Sequence, residues 1–524
     1  MHNARMTSVP ARPSQPLPRL FLSPVDSDLH TFLREVHRLA EFAPAILPQI
    51  EADLDAHGLR KKLLREADRR FFDQRTADLP HLPSLPPPTR TATVPSPTLA
   101  VGRPRLTAYA VFLFLMLRGR DGGCKDQPAR LLLEESMTLH CWLENLGLQL
   151  PAASTLSDHL NAVSHATRDF IHRAQLRFIL AEGLDDFTSL YLDSTAIAAS
   201  SEWPTDSGLI TKLIERIGRA GSQLARFGLP NFPSAGQPEL QKDLRGKHRE
   251  ISFAAGQPKR QSQLKKLYYQ LLRRGERAAK RFTRELAAAS HALDTTTQLP
   301  PSKRSLATAA LAQIGEDLRA IGQVAATCRR RVFAEETVPS AEKLVSLSDG
   351  DAAFIIKGGW DTQVGYRPQL GKSGQGFVSA LLVPLGNAAD SGQLIPGVLD
   401  HWERTNVLPN LVSTDDGYSS RSAREDLLRT GVAVVSISGS KGKQITPPDD
   451  WQRPDYQAAR AHRAAVESLI FTLKDGYQFG QLQRRENANV RAELMEKILA
   501  YNFDQIIRVR ARRARAAQER ALTA

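Results

Sequence analysis

The first hydrophobic pattern in the chain has the spacing of a helix and covers residues 27–43. Its apolar positions recur every three or four residues, which places them on one helix face. They are Leu29, Phe32, Leu33, Val36, Leu39, Ala40 and Ala43. Pro44 follows and predicts the end of this helix, because proline lacks the backbone donor that a helix interior needs. A basic amphipathic stretch comes next, at 57–72.

A continuous apolar run from Ala108 to Leu117 predicts a buried helix, since its ten residues fall short of the ~20 that cross a bilayer. Two further helices are predicted, one over about 128–146 and one opening near residue 151 with Ser154 or Thr155 as its N-cap. Three helices with a turn before the third fit a helix-turn-helix-like DNA-binding domain over 106–180. The same pattern fits a small helical packing domain equally well.

Strand character begins at residues 190–192 and returns only after more than a hundred residues of helical sequence. The later strands are predicted at 353–357, 376–385, 411–415 and 432–437, with Gly, Asn and Asp turns between them. This order predicts an α/β (α+β) fold, in which a mixed five-stranded sheet is interrupted by a large helical insertion at about 211–340. We expect the strands that end at Asp193 and Asp415 to be neighbours in that sheet.

A proline-rich segment at 78–97 predicts an extended linker, because proline is excluded from the interiors of helices and sheets. We therefore predict five parts of the chain. They are a helical N-terminal region at 1–77, a linker at 78–105 that includes the proline-rich segment, the helical DNA-binding-like domain at 106–180, the sheet domain with its insertion at 181–500, and a basic tail at 501–524.

The charge of the chain adds a prediction about its partner. The 524 residues include 70 Lys and Arg against 56 Asp and Glu, a net charge of +14. Such an excess favours binding to a polyanion such as nucleic acid, although a basic protein with no such partner would show the same excess. Cys124, Cys141 and Cys328 are widely separated, which excludes a disulfide scaffold and a thiolate zinc site. The N-terminus lacks the apolar core of a signal peptide, so we expect a cytoplasmic protein without membrane attachment.

A basic helix is predicted at 262–286, inside the insertion. Its apolar face contains Leu264, Leu267, Tyr268, Leu271 and Leu272. The rest of its surface is rich in Lys and Arg, and includes Arg273, Arg274, Arg277 and Lys280. This surface is either a solvated helix face or a track for DNA phosphates.

Two of the predicted strands end on a carboxylate. Asp193 ends the first strand, and Asp415 ends a later one, where Asp416 and the turn-forming Gly417 follow. An acid at the end of a buried strand requires a cationic neighbour. These residues are therefore candidates for a metal site.

A third acid, Glu467, lies on a predicted helix. Arg463 precedes it by four residues and Lys474 follows it by seven, so the three side chains stack along one side of the helix. Taken alone, this arrangement would be a surface ladder of ion pairs.

The combination of these acids and cations has a more specific chemistry. Magnesium prefers oxygen ligands and accepts a few carboxylates together with water and phosphate. Two such ions about 3.5–4 Å apart can activate water and hold both oxygens of a phosphodiester displacement. Asp193, Asp415 and Glu467 would supply the cage, and Arg463 and Lys474 would hold the neighbouring phosphates.

The sequence resembles the DDE transposases of bacterial insertion sequences. The matching segments are L-Y-L-D-S-T-A-I at 190–197, W-P-T-D-S-G-L-I at 203–210, A-E-K-L-V-S-L-S-D at 341–349, G-Y-R-P-Q-L at 365–370, S-T-D-D-G-Y at 413–418, and R-x3-E-x6-K at Arg463, Glu467 and Lys474. The layout is closest to a loosely classified insertion-sequence group with a helical insertion after the first strand. Related groups carry a tyrosine where this chain has Arg460, which we also expect to contact DNA phosphates.

The resemblance implies a ribonuclease-H-like catalytic core in which Asp193, Asp415 and Glu467 form the catalytic and metal-binding triad. The family pattern D-x-G-Y selects Asp415, and Asp416 is the alternative. The implied cofactor is Mg²⁺, as two ions, with Mn²⁺ possible. The implied partner is double-stranded DNA, both the terminal inverted repeats and the target, with a homodimer on the DNA ends. The implied reaction exposes 3′-hydroxyls, which then attack the target.

Two other functional classes share these features. A nuclease of the same fold would cut DNA without joining it, and a non-catalytic DNA-binding protein descended from a transposase would keep the basic helices. The G-S-K-G-K run at 439–443 lacks the strand and helix context of a phosphate loop. We interpret it as a basic loop near the DNA, with Lys441 and Lys443 as phosphate contacts, or else as a solvent-exposed loop.

Overall fold

The computed structural model describes residues 27–77, 105–121, 136–145, 147, 151–201, 203–229, 238–255, 257–339, 342–357 and 361–523. The predicted proline-rich linker at 78–97, residue Cys124 and the first part of the helix predicted at 128–146 lie outside these residues.

The strands, in chain order, are β1 Ser189–Ser194, β2 Ile197–Ala198, β3 Ala353–Lys357, β4 Asp361–Tyr366, β5 Gln369–Ser373, β6 Val378–Leu382, β7 Leu411–Thr414 and β8 Val434–Ile437. In the described part of the chain, a mixed sheet of five strands has the order β6, β5, β1, β7, β8. The central strand β1 is parallel to β7 and antiparallel to β5. The predicted mixed sheet is confirmed, and so is the prediction that the strands leading to Asp193 and Asp415 are neighbours.

One predicted member of this sheet is wrong. The strand predicted at 353–357 is β3, which pairs with β4 in a separate small sheet that also contains β2. The fifth strand of the main sheet is β5, which was not predicted. Its residues Gly371 and Lys372 are of types depleted in strands, and a bulge interrupts the pairing between them. Pairing with β1 and β6 therefore makes these residues a strand although their own preference for strand structure is weak.

Helices surround the sheet and form most of the remaining structure. In chain order they are α1 Ser27–Phe42, α2 Ile46–Ala77, α3 Ala108–Arg120, α4 Met137–Asn145, α5 Ala153–Ala162, α6 His165–Ala181, α7 Asp206–Arg226, α8 Pro238–Ala255, α9 Gln261–Thr295, α10 Pro301–Cys328, α11 Leu394–Thr405, α12 Arg421–Arg429, α13 Ser440–Ile445, α14 Pro448–Gln452, α15 Pro454–His462, α16 Ala464–Gly476 and α17 Asn487–Thr523. Within the described ranges, no helix is both long enough and apolar enough to cross a bilayer.

The N-terminal helices pack onto the long C-terminal helix α17. The predicted apolar run forms α3, whose residues Ala108–Gly119 are all buried. Gly119 has no side chain, and a Cβ atom there would overlap the backbone carbonyl of Glu496 on α17. α5 begins one residue before the predicted N-cap position Ser154, and Ala152 precedes it without a side-chain cap, so the predicted cap is wrong. The boundary predicted between residues 500 and 501 falls inside α17.

The insertion between β2 and β3 has its own apolar core. Helices α7, α8, α9 and α10 contribute its buried residues. The basic helix predicted at 262–286 lies within α9, and its Leu267, Leu271 and Leu272 are buried as expected. A bundle with a separate core can be inserted into a loop of the sheet domain without disturbing the sheet, because each part buries its own apolar surface.

A buried cluster of charges joins three distant parts of the chain. The carboxylate of Glu496 on α17 is completely buried. It accepts hydrogen bonds from Arg118 of α3 at 2.8 and 2.9 Å, from Arg168 of α6 at 2.8 Å, and from Arg484 at 3.0 and 3.2 Å. Burial acts to raise the pKa of Glu496, but attraction by the three guanidinium groups outweighs it and lowers the pKa to about 2.

We predict that Glu496→Gln lowers the free energy of unfolding by about 3–5 kcal/mol, because it leaves buried guanidinium groups without their counter-charge. Urea denaturation at neutral pH measures this loss. Glu276→Gln is the control, because it removes an exposed ion pair with Arg329 and should have a far smaller effect. In the wild type, the contribution of Glu496 should be complete above its ordinary pKa of 4.5 and fall as the pH drops toward 2. Equal stability of the two variants would contradict the role of this cluster.

Candidate active site

The ends of β1 and β7 bring two carboxylates to the same edge of the sheet. Tyr191 of β1 pairs with Ser413 of β7, and the same register continued by two residues places Asp193 beside Asp415. Asp193 is only 7% exposed, and its carboxylate accepts the backbone N–H of Ser194 at 2.7 Å. Asp415 begins a short 3₁₀ turn and accepts the backbone N–H of Gly417 at 3.0 Å.

Helix α16 presents the third acid. Its residues Val466, Leu469 and Leu473 are buried, so Glu467 on the opposite side is directed outward, with a side chain that is 59% exposed. Arg463 immediately precedes the helix and donates a hydrogen bond to Glu467. This is the pairing that the spacing of four residues predicts.

One cavity of about 550 Å³ contains all three acids and the two predicted cations. Its lining residues are Asp193, Thr195, Ala196, Gln363, Asp415, Arg463, Glu467, Ile470 and Lys474. Sequence analysis missed Thr195, Ala196, Gln363 and Ile470 as lining residues. The first two lie two and three residues after Asp193 and could have been expected, whereas Gln363 reaches the cavity only because β4 belongs to the small sheet.

A buried hydrogen-bonded network links the loops behind the two aspartates. The hydroxyl of Tyr418 donates to the side-chain oxygen of Gln369, and the Gln369 amide donates to Asp390 at 3.1 Å. Arg367 forms an ion pair with Asp390 and donates to the hydroxyl of Ser194 at 3.2 Å. The network thus connects the residue after Asp193 with the turn that contains Asp415.

Tyr418 remains a neutral donor in this network. Burial raises the pKa of its hydroxyl well above the ordinary value, and the negative charges of Asp390, Asp193 and Asp415 raise it further. The D-x-G-Y pattern contains Tyr418, so its importance was visible in the sequence. Asp390 carried no such signal, because nothing near it in the sequence marks it as buried.

Asp416 is directed away from the cavity, in contrast to its neighbour Asp415. Its carboxylate accepts the backbone N–H of Gly442 in α13 at 2.8 Å and the hydroxyl of Ser419 at 3.3 Å. Gly439 has a φ of +98°, and a side chain there would collide with Asp416. Asp416 therefore connects the turn after β7 with helix α13, and of this pair only Asp415 lines the cavity.

The remaining predicted phosphate contacts lie outside the cavity. Lys441 and Lys443 are exposed, but they lie on the short helix α13, which follows strand β8, so the predicted loop is wrong. Asp416 accepts the N–H of Gly442, between them, and so stabilises the first turn of this helix in the manner of a cap. The guanidinium of Arg460, on α15, lies 4.5 Å from the centre of the Trp451 ring.

The basic residues of α9 differ from one another in their surroundings. Arg273, Arg277 and Lys280 are exposed, whereas Arg274 is half-buried and forms an ion pair with Asp243 of α8. Of these four residues, the exposed three are therefore better placed to attract a phosphate.

The donors in the cavity fit a hard divalent cation. Three carboxylates at one cavity provide oxygen ligands, and no thiol or imidazole competes with them among its lining residues. Among the described residues, however, no three acidic, histidine or cysteine side chains are close enough to share an ion. Glu467 is turned toward Arg463, so it would have to leave this partner to join the two aspartates.

Comparison with known proteins gives one match. Residues 353–503 match the family described as the transposase DDE domain. The matched segment includes Asp415, Glu467 and both predicted cations, while Asp193 precedes it. The match bears out the resemblance to DDE transposases and does not distinguish among the insertion-sequence groups. Neither the curated proteins nor the solved structures provide a significant match.

We predict that Asp416→Ala lowers the free energy of unfolding by about 1 kcal/mol, because it removes a capping interaction with the first turn of α13. Thermal or urea denaturation measures the loss. Asp449→Ala is the control, since Asp449 is an exposed acid in the first turn of the neighbouring helix α14. A stability unchanged by Asp416→Ala would argue against the structural role of this carboxylate and leave it available for the cavity.

Proposed function

We propose that this chain, whose residues 353–503 match the transposase DDE domain, is a transposase that binds the terminal inverted repeats of an insertion sequence. It cuts DNA at those ends and joins the exposed 3′-hydroxyls to target DNA. The observation that carries the proposal is the convergence of Asp193, Asp415 and Glu467 in one cavity between Arg463 and Lys474.

DDE transposases act on DNA and generally use divalent metal ions. The finer proposal is that Asp193, Asp415 and Glu467 hold Mg²⁺, as a pair of ions that Mn²⁺ can replace. When bound, such a pair supplies an activated water and stabilises the charge of the displaced oxygen. The carboxylate ligands are of the type that magnesium prefers.

The two cations of the cavity bind the DNA backbone. Arg463 can donate two parallel hydrogen bonds to one phosphate, while Lys474 acts as a compact positive charge on a flexible stem. Arg463 has a second role in this proposal, because it holds Glu467 before DNA arrives. A phosphate that takes over the guanidinium frees Glu467 to turn toward the two aspartates, so substrate binding and completion of the metal site are coupled.

The surrounding network keeps the reacting groups in place. Arg367 fixes the Ser194 hydroxyl next to Asp193, and Tyr418 fixes the turn after Asp415. Because these contacts are buried, the two aspartates are held in position before the DNA binds. We further propose that two copies of the chain act together on the paired DNA ends.

We predict that Glu467→Gln lowers DNA cleavage by orders of magnitude while binding to the terminal repeats survives. The substitution keeps the size and helix propensity of the side chain but removes the charge that a divalent ion requires. Asp193→Asn and Asp415→Asn should behave in the same way. The measurement is cutting of labelled DNA ends by the purified chain with Mg²⁺, alongside binding of the same ends without metal.

Asp416→Asn is the matched control for this experiment, because its side chain lies next to Asp415 in sequence but outside the cavity. It should cut nearly as fast as the wild type. If Asp416→Asn abolished cleavage and Asp415→Asn did not, the second ligand would be wrong. If the three variants of the acids all cut normally, the proposed metal site would fail.

We also predict that α9 contributes to DNA affinity through its exposed cations. Replacing Arg273, Arg277 and Lys280 together by Gln should reduce the slope of log affinity against log salt by up to ~0.9 for each phosphate that these residues neutralise in the wild type. Titrations at several salt concentrations measure the slope. Arg274→Gln is the control, since Asp243 already neutralises this residue. An identical slope in the triple variant and the wild type would make this surface a solvated helix face.

A further inference from the structure

An exposed aromatic ring lies on the same helix as the third acid. Phe471 follows Glu467 by one turn of α16 and precedes Lys474 by three residues. The ring is 70% exposed, although a phenylalanine normally contributes to the core. The buried face of α16 consists of Val466, Leu469 and Leu473, on the side of the helix away from Phe471.

The spacing along α16 places the ring next to two residues that line the cavity. On one helix, residues separated by three and four positions are neighbours, so Phe471 lies beside both Glu467 and Lys474. Both of these residues line the cavity, while Phe471 does not. A ligand held by Lys474 is therefore within reach of the Phe471 ring.

The charges around Phe471 favour a polyanion over a protein as its partner. The cores of protein interfaces are depleted in charged residues, whereas this ring is next to an exposed lysine and an exposed acid, and Arg463 lies two turns earlier. A nucleic acid strand has the complementary composition, because it combines anionic phosphates with flat apolar bases. An aromatic ring can stack on any base, since every base has a π-face.

We propose that Phe471 stacks on the nucleobase next to the phosphodiester held in the cavity. This inference rests on the proposed function and deepens it, because it identifies the form of DNA that the site prefers. A base inside a duplex is already stacked on both sides, so Phe471 can bind only a base that is unpaired or at an opened end. The site should therefore prefer a duplex with a single-stranded extension to a blunt one.

The test compares two short duplexes of the terminal-repeat sequence without metal, so that neither is cut. One is blunt, and the other has a single-stranded 3′ extension with the fluorescent base 2-aminopurine at the first unpaired position. The wild-type chain should bind the extended duplex more tightly and quench the fluorescence, because stacking quenches 2-aminopurine. Phe471→Ala should lose the quenching and reduce the affinity for the extended duplex by roughly 5- to 140-fold, with the affinity for the blunt duplex unchanged.

Two variants control for general effects. Phe471→Tyr retains a ring and should keep both the quenching and the preference. Phe72→Ala removes another exposed phenylalanine, on α2, and should leave both unchanged.

Equal quenching and equal preference in Phe471→Ala and the wild type would overturn the inference while leaving the proposed function intact. The inference is also overturned if Phe471→Ala alters only the sedimentation of the DNA-free protein, because the ring would then contact a second copy of the chain. If the wild type binds neither duplex, the proposed function fails, and this inference fails with it.

Discussion

The parallel pairing of β1 with β7 brings together two aspartates that are far apart in the sequence. Residues that end neighbouring parallel strands lie at the same edge of a sheet, so the register of this one pair determines where both carboxylates are. A shift of one residue would turn Asp193 to the opposite face of the sheet, because side chains alternate along a strand. The position of α16, which packs against β1 and presents Glu467, depends on the same strand.

Two like charges at one sheet edge repel each other, and the surroundings of the site offset this cost. The Tyr418–Gln369–Asp390–Arg367 network holds the residue next to Asp193 and the turn after Asp415 in place. Hydrogen bonds from backbone N–H groups to both carboxylates favour their charged forms. A site with this arrangement is pre-organised at the two aspartates and adjustable at Glu467, which is more exposed and lies against Arg463.

A buried cluster of charges and a separate apolar core organise the helical parts of the chain. The Glu496 cluster ties α3 and α6 to α17, so the N-terminal helices and the C-terminal helix share one core with the sheet. The insertion buries its own apolar residues and leaves the outer surface of α9 to its basic residues. This division lets one part of the chain position the carboxylates, while another presents positive charge to the DNA backbone in the proposed function.

The sequence alone determined the features that depend on local spacing. The periodicity of residues 27–43 predicted α1, and the spacing of Arg463, Glu467 and Lys474 predicted one helix face, because a helix brings residues four and seven apart together. Tertiary structure decided what depends on distant partners. β5 contains Gly371 and Lys372, and only its neighbours β1 and β6 make it a strand. Asp415 and Asp416 are adjacent acids of the same type, and only the packing of α13 makes Asp416 accept the N–H group of Gly442 while Asp415 lines the cavity. Gln363, Asp390 and Glu496 likewise acquire their partners only when remote segments pack together, since a local pattern contains no information about contacts across the fold.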